Sequence, residues 1–148
     1  MQTVKAIIQK SGGFARLKLA PIYIENGIHM PLVIEYLGKT GFRECDYFRV
    51  MQLETVDGKL VADIAVYFEC NSDGSFWRPV GWQSDTDREK RYVYTPYELN
   101  DDHTITIIDM DEMRSLRQRA NIWDEDVAAL GYLAATPADP QRDLFTAV

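Results

Sequence analysis

The sequence predicts an α+β fold, an antiparallel β-meander sheet followed by two C-terminal helices. Three observations carry this. Apolar residues alternate with period two through most of the first two-thirds of the chain. Turn dipeptides, Asn26-Gly27 and Asp57-Gly58 above all, punctuate that alternation. Beyond Asp109 the apolar spacing lengthens to that of a helix. At 148 residues the chain fits one domain, over residues 1–135, with a loose tail over 136–148 that Pro137 and Pro140 keep out of any helix.

Taken in order, Val4, Ala6 and Ile8 line one side of a first expected strand, which ends at Ser11-Gly12-Gly13. Residues 14–19 read as a second, with Ala15, Leu17 and Leu19 inward and Arg16 and Lys18 outward. After the Asn26-Gly27 turn, residues 28–37 form another strand, and Pro31 places its beginning at an edge. Residues 48–56 and 59–70 form a hairpin about Asp57-Gly58, with Ala62, Ile64, Val66, Phe68 and Cys70 on one face of the second arm. Ser72-Asp73-Gly74 then turns the chain into residues 76–83, which completes a three-strand meander with Pro79 at an edge or a bulge. Residues 84–91 read as a charged loop, 92–94 as a short strand and 103–108 as the last one. Asp109 with Glu112 makes a capping pair that starts a helix at Met110, with Arg114, Arg117 and Arg119 towards its end. A second helix is expected over 122–135, with Trp123, Val127, Leu130 and Ala134 on one face.

Net charge is −7, unevenly spread: residues 1–43 carry six basic and two acidic side chains, residues 44–148 ten basic and 21 acidic. An acidic chain repels phosphate backbones, so no nucleic-acid partner is expected. No apolar run reaches the length of a membrane helix, and the start lacks the apolar core and cleavage site of a signal peptide. Cys45 and Cys70, without a CxxC or histidines at ligand spacing, read as reduced thiols in a cytoplasmic protein.

Met30-Pro31-Leu32-Val33-Ile34-Glu35 with Gly38, then Asp57-Gly58-Lys59-Leu60, Val66-Tyr67-Phe68-Glu69 and Trp77-Arg78-Pro79-Val80, follow one another over residues 12–95. They resemble the strands, DG turn and W-x-P-[IV] segment of an uncharacterised family of small proteins encoded on bacterial plasmids and integrated mobile elements. The resemblance implies a mobile-element or phage-associated setting and no particular chemistry.

Catalytic patterns are weak. No G-x-S-x-G elbow is present, and Cys45 meets His29 or His103 only if the fold brings them together. Asp109-Met110-Asp111 is a DxD, but at a helix start acids serve capping alone. Asp46 with Asp57-Gly58-Lys59 has the outline of a nuclease D…[DE]-x-K, yet DG is also a common hairpin turn. Asp85, Asp87 and Glu89 lack the glycine and terminal glutamate of a calcium loop. Ser11-Gly12-Gly13 precedes a strand in this reading, so no phosphate-binding helix start follows it. Neither catalytic residues, metal ligands nor a cofactor are assigned.

The remaining signal is aromatic: Phe76, Trp77, Trp82, Tyr92, Tyr94 and Tyr97 flank the charged loop. Strict alternation puts Phe76, Val80 and Trp82 on one face of their strand and Trp77 with Pro79 on the other. Trp77, Trp82, Tyr92, Tyr94 and Tyr97 are therefore the candidate interface residues, because large amphipathic side chains anchor protein contacts. The expected function is a non-enzymatic protein-binding or accessory domain that engages a protein partner or a second copy of itself, without membrane contact. The alternative is an acidic inhibitor or nucleic-acid mimic that acts on a DNA-binding or nuclease partner through Glu98, Asp101, Asp102, Asp109, Asp111, Glu112 and the acids at 124–126. A small enzyme of unrecognised type is a third possibility.

Overall fold

The structure is a computed structural model that describes residues 1–39, 45–71, 77–87, 90–94, 97–99, 101, 105–107 and 109–138. For residues 85–87, 90–94, 97–99 and 105–107 it describes the backbone. The chain opens with two short helices, α1 (Gln2–Lys10) and α2 (Phe14–Leu19). Six strands follow: β1 (Ile22–Asn26), β2 (His29–Lys39), β3 (Asp46–Val56), β4 (Lys59–Cys70), β5 (Trp77–Asp87) and β6 (Lys90–Tyr94). They form one antiparallel sheet in sequential order β1-β2-β3-β4-β5-β6, the meander that the turn signals predict. A two-stranded ribbon, β7 (Tyr97–Leu99) with β8 (Ile105–Ile107), leads into α3 (Met110–Ala129) and the single turn α4 (Tyr132–Ala135).

The first two expected strands are helices. Val4, Ile7 and Ile8 are all buried, and an i, i+3, i+4 set can share one side only in a helix. Four apolar positions in a short window, Val4, Ala6, Ile7 and Ile8, satisfy both periods, and packing against the sheet decides between them. In α2, Leu17 is buried while Ala15 and Leu19, expected inward, are exposed. Ser11-Gly12-Gly13 is thus a helix–helix connection, with Gly12 and Gly13 both at positive φ.

The central hairpin is as expected. Asp57 and Gly58 both have positive φ, the backbone of a type I′ turn, and β3 pairs with β4 from Asp46↔Cys70 to Val56↔Lys59. Residues 27 and 28 form the β1–β2 turn, one position later than expected. Pro31 does not mark an edge strand, since β2 lies between β1 and β3. It stands just before the first β2–β3 pair, Leu32↔Gln52, and beside the β1–β2 irregularity, where its missing N–H breaks no described rung. The charged stretch 84–91 is not a loop: β5 runs to Asp87 and β6 starts at Lys90, so it is the end of another hairpin. The Ser72-Asp73-Gly74 turn, Phe76, Glu89 and His103 lie outside the described residues.

Two bulges re-aim the side chains. Gln52 pairs with Ile64 but Leu53 pairs with Ala62, so Asp63 is extra in β4 and Ala62 turns to the face opposite Ile64. Tyr67 pairs with Gly81 but Phe68 with Pro79, so Val80 is extra in β5. Pro79 therefore sits at a bulge, as its chemistry requires.

All four helices pack on one face of the sheet. Their buried residues Val4, Ile7, Ile8, Leu17, Ala120, Trp123, Val127 and Tyr132 join Ile24, Leu32, Ile34, Phe48, Val50, Val66, Phe68 and Cys70 in one core. Asp109 caps α3 as expected, accepting from the amides of Asp111 (2.9 Å) and Glu112 (3.2 Å). Where two helices of similar length are expected, α3 runs unbroken past Arg119, because residues 120 and 121 are Ala and Asn and nothing there stops a helix. The break comes at Gly131, φ +83°, and Leu130 and Ala134 are exposed rather than inward. Asp124 on α3 reaches across to accept from the amides of Thr3 and Val4, both at 3.1 Å, and so caps α1 from another helix. Trp123 donates to Gln52 (2.8 Å), Gln52 to Tyr132 (3.3 Å) and Tyr132 to the carbonyl of Met30, a buried chain that ties α3 and α4 to β2 and β3.

Candidate functional site

With the helices on one side, the other face of the sheet carries what strand alternation sends outward. At its centre Val33, Met51 and Ala65 are buried, with Leu53, Ala62 and Tyr67 packed against them and no helical residue in the cluster. Among the described residues these side chains pack on one another. Two arginine–carboxylate pairs frame them, each along a rung of the sheet: Arg49 with Glu35 between β3 and β2, and Arg78 with Glu69 at 2.6 Å between β5 and β4. Tyr47 stacks on Tyr67 with centroids 5.9 Å apart, and the Tyr67 hydroxyl donates to Gln83 Oε1 at 3.3 Å. Tyr23 on β1, opposite Val33, is exposed. A Cβ on Gly81 would stand 3.3 Å from the Tyr67 ring, close enough that the ring would have to shift by a few tenths of an ångström.

The electrostatics of this face hold its charges in place. Burial alone would lower the Arg49 pKa, but Tyr67 and Glu35 raise it, so the guanidinium stays charged throughout. Burial, then the neighbouring Tyr67 and Glu69, raise the Tyr47 phenol. Rigid phenol rings, planar guanidinium groups and an apolar seam are the materials of a protein contact.

A second constellation lies on the helix side, at the start of β3. Asp46 is 1 % exposed and accepts from Lys18 of α2 (3.1 Å), Lys39 of β2 (2.9 Å) and the Tyr36 hydroxyl (3.0 Å). Burial would raise its carboxyl, but the hydrogen bonds from Lys39, Lys18 and Tyr36 outweigh that and hold it below the usual range. Cys70, its rung partner, is pushed up to about 12 by burial, then by Asp46 and Cys45. A thiol with that pKa is protonated at neutral pH and is no nucleophile. The centre joins α2 to the sheet and offers a fully occupied carboxylate.

The candidate interface residues fall as follows. The Val80 bulge puts Trp77 and Trp82 on the same face, not on opposite ones, and that face is the one under the helices. Trp77 lies against Phe14, Phe48 and Phe68, and Trp82 meets Trp123 of α3 edge-on at 6.4 Å. Both are half-buried and packed on the core. Tyr92 and Tyr94 are in β6 and Tyr97 in β7, with side chains outside the described part. Tyr23, Tyr47, Tyr67, Arg49 and Arg78 were not singled out by sequence, although the alternation of β3 and β4 already places Tyr47, Arg49 and Tyr67 opposite the core face.

The other patterns do not converge. Asp46 and Asp57 stand at opposite ends of β3, roughly 35 Å apart for an extended strand of that length. His29 and Cys45 are likewise at opposite ends of the β2–β3 pair. Asp111 is exposed and pairs with Arg114 at 3.5 Å, and among the described residues no three His, Cys, Asp or Glu side chains gather to hold a metal. No helix among them is long and apolar enough to cross a membrane.

Comparison with known proteins yields one match. The model of a domain of unknown function, DUF6908, matches residues 2–133, so α1, α3 and the first half of α4 belong to the same unit as the sheet, beyond the 12–95 span of the sequence resemblance. No curated protein and no solved structure matches the chain. The chain belongs to the DUF6908 family, whose function is unknown.

Proposed function

We propose that this DUF6908 domain is a non-enzymatic protein-binding or accessory domain of the cytoplasm, and that it docks a protein partner on the helix-free face of its sheet. One observation carries the reading: that face presents the half-buried Arg49, Arg78, Tyr47 and Tyr67, already held by cross-strand partners, around an apolar seam (Val33, Met51, Ala65) that is itself buried and fixes their positions. Contacts held before binding lose little freedom on binding, which is what gives such a surface its affinity. Arginine and tyrosine are also the residue types on which binding energy concentrates. Cys45 and Cys70, both buried and neither in a disulfide, agree with a reducing compartment. The mobile-element or phage-associated setting stays part of this proposal, resting on the sequence resemblance alone.

The acidic-mimic reading has less to stand on. Asp109 spends its carboxylate as a helix cap, Asp111 pairs with Arg114, and Asp124 is buried against α1. The test is affinity purification of the tagged chain from its source cells, beside Arg49→Ala and Tyr67→Ala variants that keep the wild-type circular dichroism. A discrete co-purifying protein lost in both variants is the expected result. Retention of that protein by both variants would move the docking surface elsewhere.

A further inference from the structure

On the opposite side of the sheet a cavity of about 170 Å³ lies between α1, α3 and the β4–β5 pair. Its inner wall is apolar, formed by the fully buried Phe68 with Trp77 and Pro79. Lys5 comes from α1 and the exposed Arg117 from α3, while among the described residues no acidic side chain lines the cavity. The Lys5 ammonium stands 5.1 Å from the centre of the Trp77 ring. Among the described residues neither Lys5 nor Arg117 has an ion-pair partner. The Trp77 indole N–H is buried and has no hydrogen-bond partner among them either. Asp124, on the same helix as Arg117, is taken up in capping α1.

Two cations from separate helices line one cavity with no described acid on its wall, and an anion bound there would be attracted by both. An apolar wall directly beneath favours an anion with a short hydrocarbon stem over a bare inorganic one. A volume of about 170 Å³ suits a small ligand with a short stem better than a long chain. We propose that this cavity binds a small free organic carboxylate, its head between Lys5 and Arg117 and its stem on Trp77 and Pro79. The site is independent of the docking face, since the two lie on opposite faces of the sheet, and either can fail alone.

The test is a titration of the full chain with butyrate at constant ionic strength, following the Trp77 indole N–H by ¹H–¹⁵N correlation spectra. Inorganic phosphate, 1-butanol and a tetrapeptide with a free C-terminus are the comparison probes. The expected result is a saturable shift with a Kd on the order of millimolar, as suits so small a ligand. Lys5→Gln and Arg117→Gln should each weaken it by about tenfold or more, while the melting temperature stays unchanged because both side chains reach the surface. Butanol should give no saturable shift and phosphate a weaker one. A response to butyrate that does not saturate, that butanol reproduces, or that both variants retain would overturn the proposal. Tighter binding of phosphate would overturn the role of the stem, and tighter binding of the tetrapeptide would give the cavity to a protein terminus instead of a free acid.

Discussion

Asp46 loses its water on folding and receives Lys18, Lys39 and Tyr36 in exchange. Asp46→Asn removes the charge that both lysines answer, and the two ammonium groups, being partly exposed, return to water. A loss of about 1–3 kcal/mol in denaturant melts is expected. The carboxyl is held below its unfolded value of 3.8, so its contribution is complete above that pH and disappears as pH falls through the folded value. Wild type and Asp46→Asn should therefore converge in stability below about pH 4 and differ above it. Cys70 acts at the other end of the scale. Its pKa is raised from 9.0 to about 12, so the stability tied to the buried neutral thiol is present below pH 9 and is lost as pH rises towards 12. Cys70→Ala should flatten that alkaline decline. The core position of Cys70 was legible in the alternation of β4, but the role of Asp46 was not, since Asp46 stood out only for an acid-and-lysine pattern. Its partners arrive from α2 and from the far end of β2, positions that no local spacing encodes.

At the scale of elements, the meander was readable because each hairpin announces itself locally. Asp57-Gly58 sets a register, and β4 follows with alternation that one face of a core demands. Phe68 is fully buried in that register, and Phe68→Ala should cost about 3–5 kcal/mol. The half-buried Ile64 should cost less on truncation, and equal, negligible losses at both would contradict the assigned faces. The N-terminal helices were not readable, because Val4, Ala6 and Ile8 satisfy a strand as well as Val4, Ile7 and Ile8 satisfy a helix. What decides is distant: Asp124, some 120 residues on, supplies the acceptors for the first amides of α1. Asp124→Ala should destabilise the fold by about 1–2 kcal/mol and speed amide exchange at Thr3 and Val4 before it affects the sheet. The bulge at Val80 was equally hidden. Pro79 marked an irregularity, but one inserted residue reverses the faces of everything beyond it, and this is why Trp77 and Trp82 share the core side.

For the molecule as a whole, the helices divide the sheet into a covered face and an open one. The open face is set by the same alternation that builds the core, so Tyr47, Arg49 and Tyr67 were available to a sequence reading that followed the outward positions as closely as the inward ones. Its organisation was not available, since it depends on rungs between strands and on the close approach of the Tyr67 ring to Gly81. Gly81→Ala should displace that ring, weaken partner binding by about 1 kcal/mol or more and change stability far less. The most direct measurement is site-specific photo-crosslinking in the source cells, with a photoreactive phenylalanine at position 47 on the open face and, separately, at position 122, an exposed site on α3. Docking on the open face predicts a discrete crosslinked protein from position 47 and none from position 122. A crosslink from position 122 alone would contradict it and place the partner on the helical side.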